Sequence, residues 1–102
     1  MPKRTRPYRE SLLEDLQSPK EAAQYLNAAM EDSPEMFLIA LKDVAEARDI
    51  PKVAAEAGVA RETVYRMLRR SGNPRYGNLI GILRAIGVRM RFEVNPKHET
   101  RR

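Results

Sequence analysis

The sequence predicts a mainly α-helical protein of five to six helices with one β-strand near its C-terminus. Apolar residues recur at helical spacing along most of the chain, and two of these stretches begin with Ser-Pro, a typical helix start. Residues 50–70 hold two short amphipathic stretches separated by a glycine. Residues 88–94 instead alternate apolar and charged side chains, which is the period of a half-buried strand.

The helices before residue 50 are predicted from their start signals and apolar faces. Residues 1–7 are basic and contain two prolines, so we expect a flexible arm there. A first helix is expected over residues 8–17. The stretch Ser18-Pro19-Lys20-Glu21 begins a second helix that reaches Met30, and Ser33-Pro34-Glu35 begins a third that reaches Arg48.

Residues 50–70, IPKVAAEAGVARETVYRMLRR, predict a helix-turn-helix. Gly58 can adopt the left-handed backbone that ends the first helix, and the small Ala54 leaves room for the second helix to cross. The inner angle between the two helices is expected to bury Val53, Ala57, Val59, Val64 and Met67. Such a unit presents the outer face of its second helix to the major groove of DNA.

The outer face of this second helix is rich in arginine. Its candidate DNA-binding residues are Arg61, Glu62, Thr63, Tyr65, Arg66, Arg69 and Arg70. Arg can donate two hydrogen bonds to guanine, Glu can accept one from cytosine, and Thr can contact a thymine methyl group. The residues up to position 66 are expected at base edges and the last two at phosphates, while Tyr65 fits a contact or a packing role equally well. A solvated, charged helix face without a ligand is the alternative interpretation.

A loop and one further helix follow the helix-turn-helix. Ser71-Gly72-Asn73-Pro74 ends the second helix and forms a loop. Leu79, Ile80, Leu83 and Ile86 then mark a helix that is stopped by Gly87. The expected organisation is one helix-turn-helix domain over residues 8–94, between the arm at 1–7 and a flexible tail at 95–102.

The predicted strand at residues 88–94 needs a partner, because a lone strand leaves its backbone hydrogen bonds unmade. No other segment is predicted as a strand, so we expect antiparallel pairing with the same strand of a second copy, in a homodimer. The dimer interface would then consist of Val88, Met90, Phe92 and Val94. Pairing with the N-terminal arm, or with an edge strand of a partner protein, remains an alternative.

The two halves of the chain carry opposite charge. Residues 1–57 hold eight Lys and Arg against eleven Asp and Glu, a net charge of −3. Residues 58–102 hold eleven against three, a net charge of +8, and the whole chain of 102 residues therefore carries +5. A basic half attracts a polyanion, and we expect DNA binding that weakens steeply with salt.

Several classes of function are disfavoured by composition. The chain has no Cys, and its one His, His98, lies in the polar tail, so we expect no catalytic, metal or cofactor site and no enzyme activity. No apolar run approaches the roughly 18–20 residues that cross a bilayer, so no membrane partner is expected. The absence of Cys and of a signal peptide predicts a cytoplasmic protein.

Five stretches of the sequence together support a family resemblance. They are Thr5-Arg6-Pro7-Tyr8, EAAQYLNAA at 21–29, FLIALKDVAEAR at 37–48, Gly72-Asn73-Pro74, and LRAIGV at 83–88. On these residues the chain, over 6–94, resembles the addiction-module antidote proteins. These are prophage-type antitoxins with a Cro/C1-type (lambda-repressor-like) helix-turn-helix, loosely related to the HigA group. Ala60 departs from the Ser usual at the start of the second helix, which removes a cap worth about 1 kcal/mol.

The resemblance implies a sequence-specific DNA-binding antitoxin of a type II toxin-antitoxin module. Such a protein would neutralise a RelE/HigB-like ribonuclease toxin and repress its own operon at a double-stranded DNA operator. By position in the motif it also implies base contacts for Arg61, Glu62 and Arg66, and phosphate contacts for Lys52, Asn73 and Arg75.

The toxin would bind the acidic half of the chain in this interpretation. The carboxylates that could complement a basic toxin are Glu10, Glu14, Asp15, Glu21, Glu31, Asp32 and Glu35. An ordinary solvated helix surface explains the same residues. Two other functions stay open: a stand-alone phage-type repressor without a toxin, and, more weakly, an RNA-binding module, which 6% aromatic residues disfavour.

Overall fold

The computed structural model describes residues 2–69 and 72–99, with side chains described for 8–69 and 72–97. Within these ranges the chain forms six helices and a final helical turn. They are α1 (Pro2–Asp15), α2 (Pro19–Asp32), α3 (Pro34–Ala47), α4 (Ile50–Ala57), α5 (Arg61–Met67), α6 (Tyr76–Ala85) and α7 (Pro96–Glu99). The predicted mainly α-helical class is confirmed. No helix in the described part of the chain is both long and apolar enough to cross a membrane.

Two serines set the boundaries of α2 and α3, as their Ser-Pro sequences predict. The Ser18 hydroxyl accepts a hydrogen bond from the Glu21 backbone N–H at 3.3 Å, and the Ser33 hydroxyl accepts one from the Met36 N–H at 3.0 Å. Ser33 also donates its own N–H to the Ala29 carbonyl at 3.1 Å. One residue therefore ends α2 and starts α3, which brings the two helices together at a sharp corner.

The first helix is longer than the sequence predicts. It spans Pro2–Asp15 rather than residues 8–17, so the backbone is helical through most of the segment for which the sequence predicts a flexible arm. Pro2 stands at the first helical position, where the missing N–H has no helical partner in any case. Pro7 leaves one helical hydrogen bond unmade, but the helix continues to Asp15. Leu12 of α1 packs against the core, and Leu16, directly after α1, is part of it.

The core centres on α3, which packs against α1, α2 and α4. Half of its residues are buried, among them Leu41 and Val44 at 0% exposure. Helix α4 in turn contacts α5 and α6, and Ile82 and Ile86 complete the core from the C-terminal side. Helices α3 and α4 thus link the N-terminal helices to α5 and α6 around one core.

A polar cluster ties the first three helices together. Asp43 of α3 is 9% exposed. One of its carboxylate oxygens accepts a hydrogen bond from the Tyr25 hydroxyl at 2.6 Å, and the other forms an ion pair with Arg9 at 3.0 Å. Arg9 also contacts Glu46. A buried carboxylate destabilises the folded state unless it is paired, so Asp43 requires its partners on α1 and α2 to pack against α3.

Stability at alkaline pH should depend on Tyr25. Burial, followed by the hydrogen bond to Asp43, raises the pKa of Tyr25 from 10.0 to about 12. The folded state therefore holds the phenol proton more tightly than the unfolded chain, a contribution present below pH 10.0 and lost as the pH rises to about 12. We expect denaturant unfolding of the Tyr25→Phe variant to depend less on pH in this window. Equal pH dependence in Tyr25→Phe and the exposed Tyr76→Phe would contradict this.

The predicted strand at residues 88–94 is not present in the single chain. Residues 88–95 are neither helical nor paired, and no strand occurs within the described ranges. The physical reason is that a strand exists only in a ladder, and the rest of the described chain is helical or in short connections. The alternative of pairing with the N-terminal arm is contradicted, because residues 2–7 belong to α1.

Candidate nucleic-acid interface

The two helices predicted at residues 50–70 are present, with the turn between them. Helix α4 ends at Gly58, whose φ of 72° is left-handed, and α5 begins at Arg61. The turn is closed by a hydrogen bond from the Val59 N–H to the Ala54 carbonyl at 3.0 Å. A Cβ at Gly58 would meet nothing within 4 Å, so glycine is required for the backbone angle and not for space.

The corner that leads into α4 uses a conformation that the sequence does not reveal. Asp49, the residue before α4, has a φ of 79°, which is strained for a residue with a side chain. Its carbonyl accepts hydrogen bonds from the N–H groups of Lys52 and Val53, each at 3.0 Å. The strain is therefore held in place by the first turn of α4, and it fixes the direction in which α4 leaves α3.

The inner side of α5 is anchored in the core. Val64 is 0% exposed and Leu68 is 1% exposed, and both pack in the same cluster as Val53 of α4. Helix α6 supports α4 from behind at Gly81, where an added Cβ would lie 3.1 Å from the Ala57 carbonyl oxygen. Because α5 rests on α4 and α4 rests on α6, the direction of α5 is fixed by packed helices and not by loops.

The outer side of α5 carries the predicted basic face. Four of its residues are exposed and fall at helical spacing on one side, opposite the buried ones: Arg61, Glu62, Tyr65 and Arg66. Arg69, two residues after the end of α5, is also exposed. Tyr65 is 48% exposed, so half of its surface is available to a ligand. Thr63 is partly buried, and its hydroxyl accepts a hydrogen bond from Arg66 at 3.4 Å.

The remaining predicted contact residues lie outside α5. Lys52 is exposed in the first turn of α4, and Asn73 and Arg75 are exposed in the loop before α6. Arg70 lies outside the described residues. All the predicted DNA-binding residues that the structure describes are therefore exposed to solvent, except Thr63, which is partly buried.

Two further exposed side chains were not among the contact residues predicted from the sequence. Lys42 of α3 is exposed and lines a groove of about 540 Å³ together with Arg9 and Arg69. No sequence signal could have placed it there, because the groove lies between α3 and the residues that follow α5. Tyr76, the first residue of α6, is 73% exposed, and an aromatic residue at a helix start directly after Arg75 was a signal available in the sequence.

The start of α5 lacks a side-chain cap, as its Ala60 predicts. Ala60 has the extended backbone of a capping residue, but no side chain there accepts a hydrogen bond. We expect Ala60→Ser to stabilise the protein by about 1 kcal/mol in thermal unfolding, because its hydroxyl can satisfy a backbone N–H of the first turn. The same change at the exposed Ala55, inside α4, should be neutral or destabilising. A stabilisation of similar size at both positions would contradict capping as the cause.

The carboxylates predicted to face a basic partner are also exposed. They lie on three helices: Glu10, Glu14 and Asp15 on α1, Glu21, Glu31 and Asp32 on α2, and Glu35 on α3. Among residues with described side chains, the salt bridges join Arg9 to Asp43 and to Glu46. The acidic surface is thus not neutralised by cations from that part of the chain.

The comparisons with known proteins identify the family. The family model described as "Probable addiction module antidote protein" matches residues 9–94. The chain belongs to this family. A protein of Haemophilus influenzae that bears the name "Uncharacterized protein" is 35% identical over 81 residues, which cover 78% of this chain and 84% of that relative. No solved structure matches the chain.

Family membership confirms the antidote part of the resemblance. An addiction module pairs an antidote with a toxin, so this antidote protein has the role of an antitoxin, and its partner is in general terms a toxin. The match covers all six helices apart from the start of α1, and also residues 88–94. Both the exposed face of α5 and the acidic surface of α1 to α3 therefore lie almost wholly within the family region.

Proposed function

We propose that this antidote protein is a DNA-binding antitoxin that represses its own operon and neutralises a RelE/HigB-like ribonuclease toxin. In this proposal α4 and α5 act as a Cro/C1-type helix-turn-helix, and α5 is the recognition helix. The chain acts by binding and catalyses no reaction. The observation that carries the DNA half is the two-sided character of α5: Val64 and Met67, with Leu68 directly after the helix, are buried, and the arginines of α5 are exposed.

The exposed face of α5 has the chemistry that base recognition requires. Arg61 and Glu62 stand in its first turn, and Tyr65 and Arg66 follow one turn later. Arginines in these positions can each make a paired contact with guanine, and Glu62 can accept from cytosine. Arg69, beside Lys42 at the far end, suits a phosphate, so the proposed register runs from bases at the start of α5 to backbone at its end.

The distribution of charge supports separate surfaces for the two partners. The half of the chain that begins at Gly58 carries +8, and the half before it carries −3. A polyanion is attracted to the basic half, and a basic toxin is attracted to the acidic half. Helices α1 to α4 lie within residues 2–57, so the proposed toxin surface lies on the helices that hold the exposed carboxylates. One chain could then bind DNA and toxin at the same time.

Operon repression is proposed to use a homodimer. Two copies related by a two-fold axis place two recognition helices on half-sites about 34–36 Å apart, which suits a palindromic operator. The test is binding of the full chain to the DNA directly upstream of its gene, in competition with a scrambled fragment. We expect the chain to bind the upstream fragment more tightly than the scrambled one. Its affinity for DNA should fall by orders of magnitude between about 50 and about 200 mM salt. Equal binding to both fragments contradicts sequence-specific recognition.

The toxin half is tested by co-expression with the product of the adjacent gene, followed by co-purification. Glu10→Lys combined with Glu14→Lys reverses two exposed charges one helical turn apart on α1. The two positions carry like charges before and after the change, so the repulsion between them within the helix stays similar. We expect the toxin to associate about tenfold more slowly with this variant, and less salt-dependently. Glu56→Lys, an exposed reversal on α4, is the control and should change association little.

Two outcomes would change the proposal in different ways. Equal association of the toxin with the α1 variant and with Glu56→Lys would remove the α1 carboxylates from the toxin surface. Absence of any complex with the adjacent gene product, while specific DNA binding persists, would leave a repressor that acts without a toxin from the same operon.

A further inference from the structure

The segment from Arg89 to Asn95 is neither helical nor part of a sheet, and its apolar and charged residues alternate. Among the described residues, the backbone N–H and C=O groups of 89–94 make no hydrogen bond to another backbone group. Phe92 is 89% exposed, Val94 is 64% exposed and Met90 is 36% exposed. Between the segment and helices α2 and α3 lies a groove of about 650 Å³, so its own helices do not hold it down. Such an edge is a template for another strand.

The ends of this segment are fixed by bonds already made. The Val88 N–H donates to the Leu83 carbonyl at 3.0 Å, so it is not available to a ladder. Pro96 has no N–H, and the side chain of Asn95 accepts from the Lys97 N–H at 3.0 Å as α7 begins. The available backbone therefore runs from residue 89 to the N–H of residue 95, since the Asn95 carbonyl precedes α7. The residue at the middle of this stretch is Phe92.

We propose that residues 89–95 pair antiparallel with the same segment of a second copy, in the register that places Phe92 opposite the partner's Phe92. This inference rests on the homodimer of the proposed function and specifies its interface. In this register Met90 lies opposite the partner's Val94, and Phe92 meets its twin, so the apolar face is continuous across the dimer. Arg91 lies opposite the partner's Glu93, and Glu93 lies opposite the partner's Arg91, which gives two ion pairs.

Other registers are disfavoured by charge or by the pleat. Centring the pair on Arg91 would place two arginines opposite each other, and centring it on Met90 would place Arg89 opposite the partner's Arg91; like charges in such positions are destabilising. A shift by one residue would set apolar side chains opposite charged ones, because facing residues point to the same side of the sheet. The Phe92-centred register pairs opposite charges across the strands, keeps the apolar side chains on one face, and is centred on the available backbone.

Introduced cysteines test this register, since the chain has no cysteine of its own. In a paired strand the two copies of residue 92 would be about 4.5–5.5 Å apart, within disulfide reach. Two copies of residue 91 would be displaced by about 7 Å along the strand and would be out of reach. Under mild oxidation of the full chain, Phe92→Cys should form a covalent dimer rapidly, and Arg91→Cys and Met90→Cys slowly.

Charge exchange gives a second, non-covalent test. Arg91→Glu places four carboxylates across the strands and should raise the dimer dissociation constant about tenfold or more in sedimentation experiments. Arg91→Glu combined with Glu93→Arg exchanges the pairs and should restore it. Arg89→Glu, opposite the partner's Asn95, is the matched control and should have little effect.

The proposal is overturned if Arg91→Cys crosslinks faster than Phe92→Cys, if the double exchange fails to rescue, or if the unaltered chain sediments as a monomer. A monomer whose segment becomes protected from hydrogen exchange only with the toxin would assign the edge to the toxin instead. These results are distinct from failure of the proposed function, because specific DNA binding and toxin binding are measured separately on the same variants.

Discussion

Replacing Arg61 and Arg66 with alanine should remove most of the discrimination between the upstream DNA and a scrambled fragment. Both side chains are exposed on the first two turns of α5, and neither contributes to the core. Each paired contact with a base is worth about 1–3 kcal/mol, so loss of both should reduce the specificity ratio about 30-fold or more. The measurement is a competition titration followed by fluorescence anisotropy at one fixed salt concentration.

A control is required because removing two positive charges weakens binding to any DNA. Lys20→Ala combined with Arg84→Ala removes the same charge from exposed positions on α2 and α6. This pair should lower affinity for both fragments alike and leave their ratio unchanged. If the α5 variant keeps the specificity ratio of the control, recognition does not depend on Arg61 and Arg66, and the proposed register of α5 on DNA is wrong.

Replacing Leu68 with alanine should destabilise the folded protein by about 2–5 kcal/mol, a large share of the stability of a domain of this size. Leu68 follows α5 directly and is 1% exposed among the residues that anchor that helix. Truncation would leave a cavity beneath the recognition helix, since the surrounding helices can only partly close it. Denaturant unfolding at equilibrium measures the change, read from the midpoint at constant slope.

Arg69, the residue after Leu68, should affect DNA binding and not stability. Arg69 is exposed, so Arg69→Ala should change stability by no more than about 0.5 kcal/mol. If it contacts phosphate, it should instead lower affinity for all DNA and reduce the salt slope by about 1. Similar unfolding midpoints for Leu68→Ala and Arg69→Ala would contradict the separation of α5 into an anchoring side and a contact side.

Much of the helical framework could be predicted because its signals are local. Ser18 and Ser33 cap helices through hydrogen bonds to residues three positions ahead, and Gly58 and Gly87, with φ of 72° and 85°, end α4 and α6 through their own backbone angles. The buried and exposed sides of α5 followed from helical spacing alone. None of these features depends on residues far away in the chain.

Other features depended on contacts between distant residues. The sequence gives no hint that Arg9, Tyr25 and Asp43 meet, because the three lie on different helices. The strained Asp49 and the position of Lys42 beside Arg69 are likewise consequences of how α3 packs. The length of α1 was misjudged because both prolines were taken as helix breakers, whereas Pro2 stands at the first helical position and the helix continues past Pro7.

The amino-acid sequence by itself determined where α2 and α3 start, where α4 and α6 end, which side of α5 is basic, and that residues 88–94 do not have a helical pattern. Only the tertiary structure decided how α4 is braced by α6, which carboxylates are satisfied within the chain, and that the C-terminal segment has no partner strand within the described residues. The reason is physical: capping and periodicity act over one or two helical turns. Burial and pairing of charges, and the pairing of strands, require surfaces that only the folded chain, or a second copy of it, brings together.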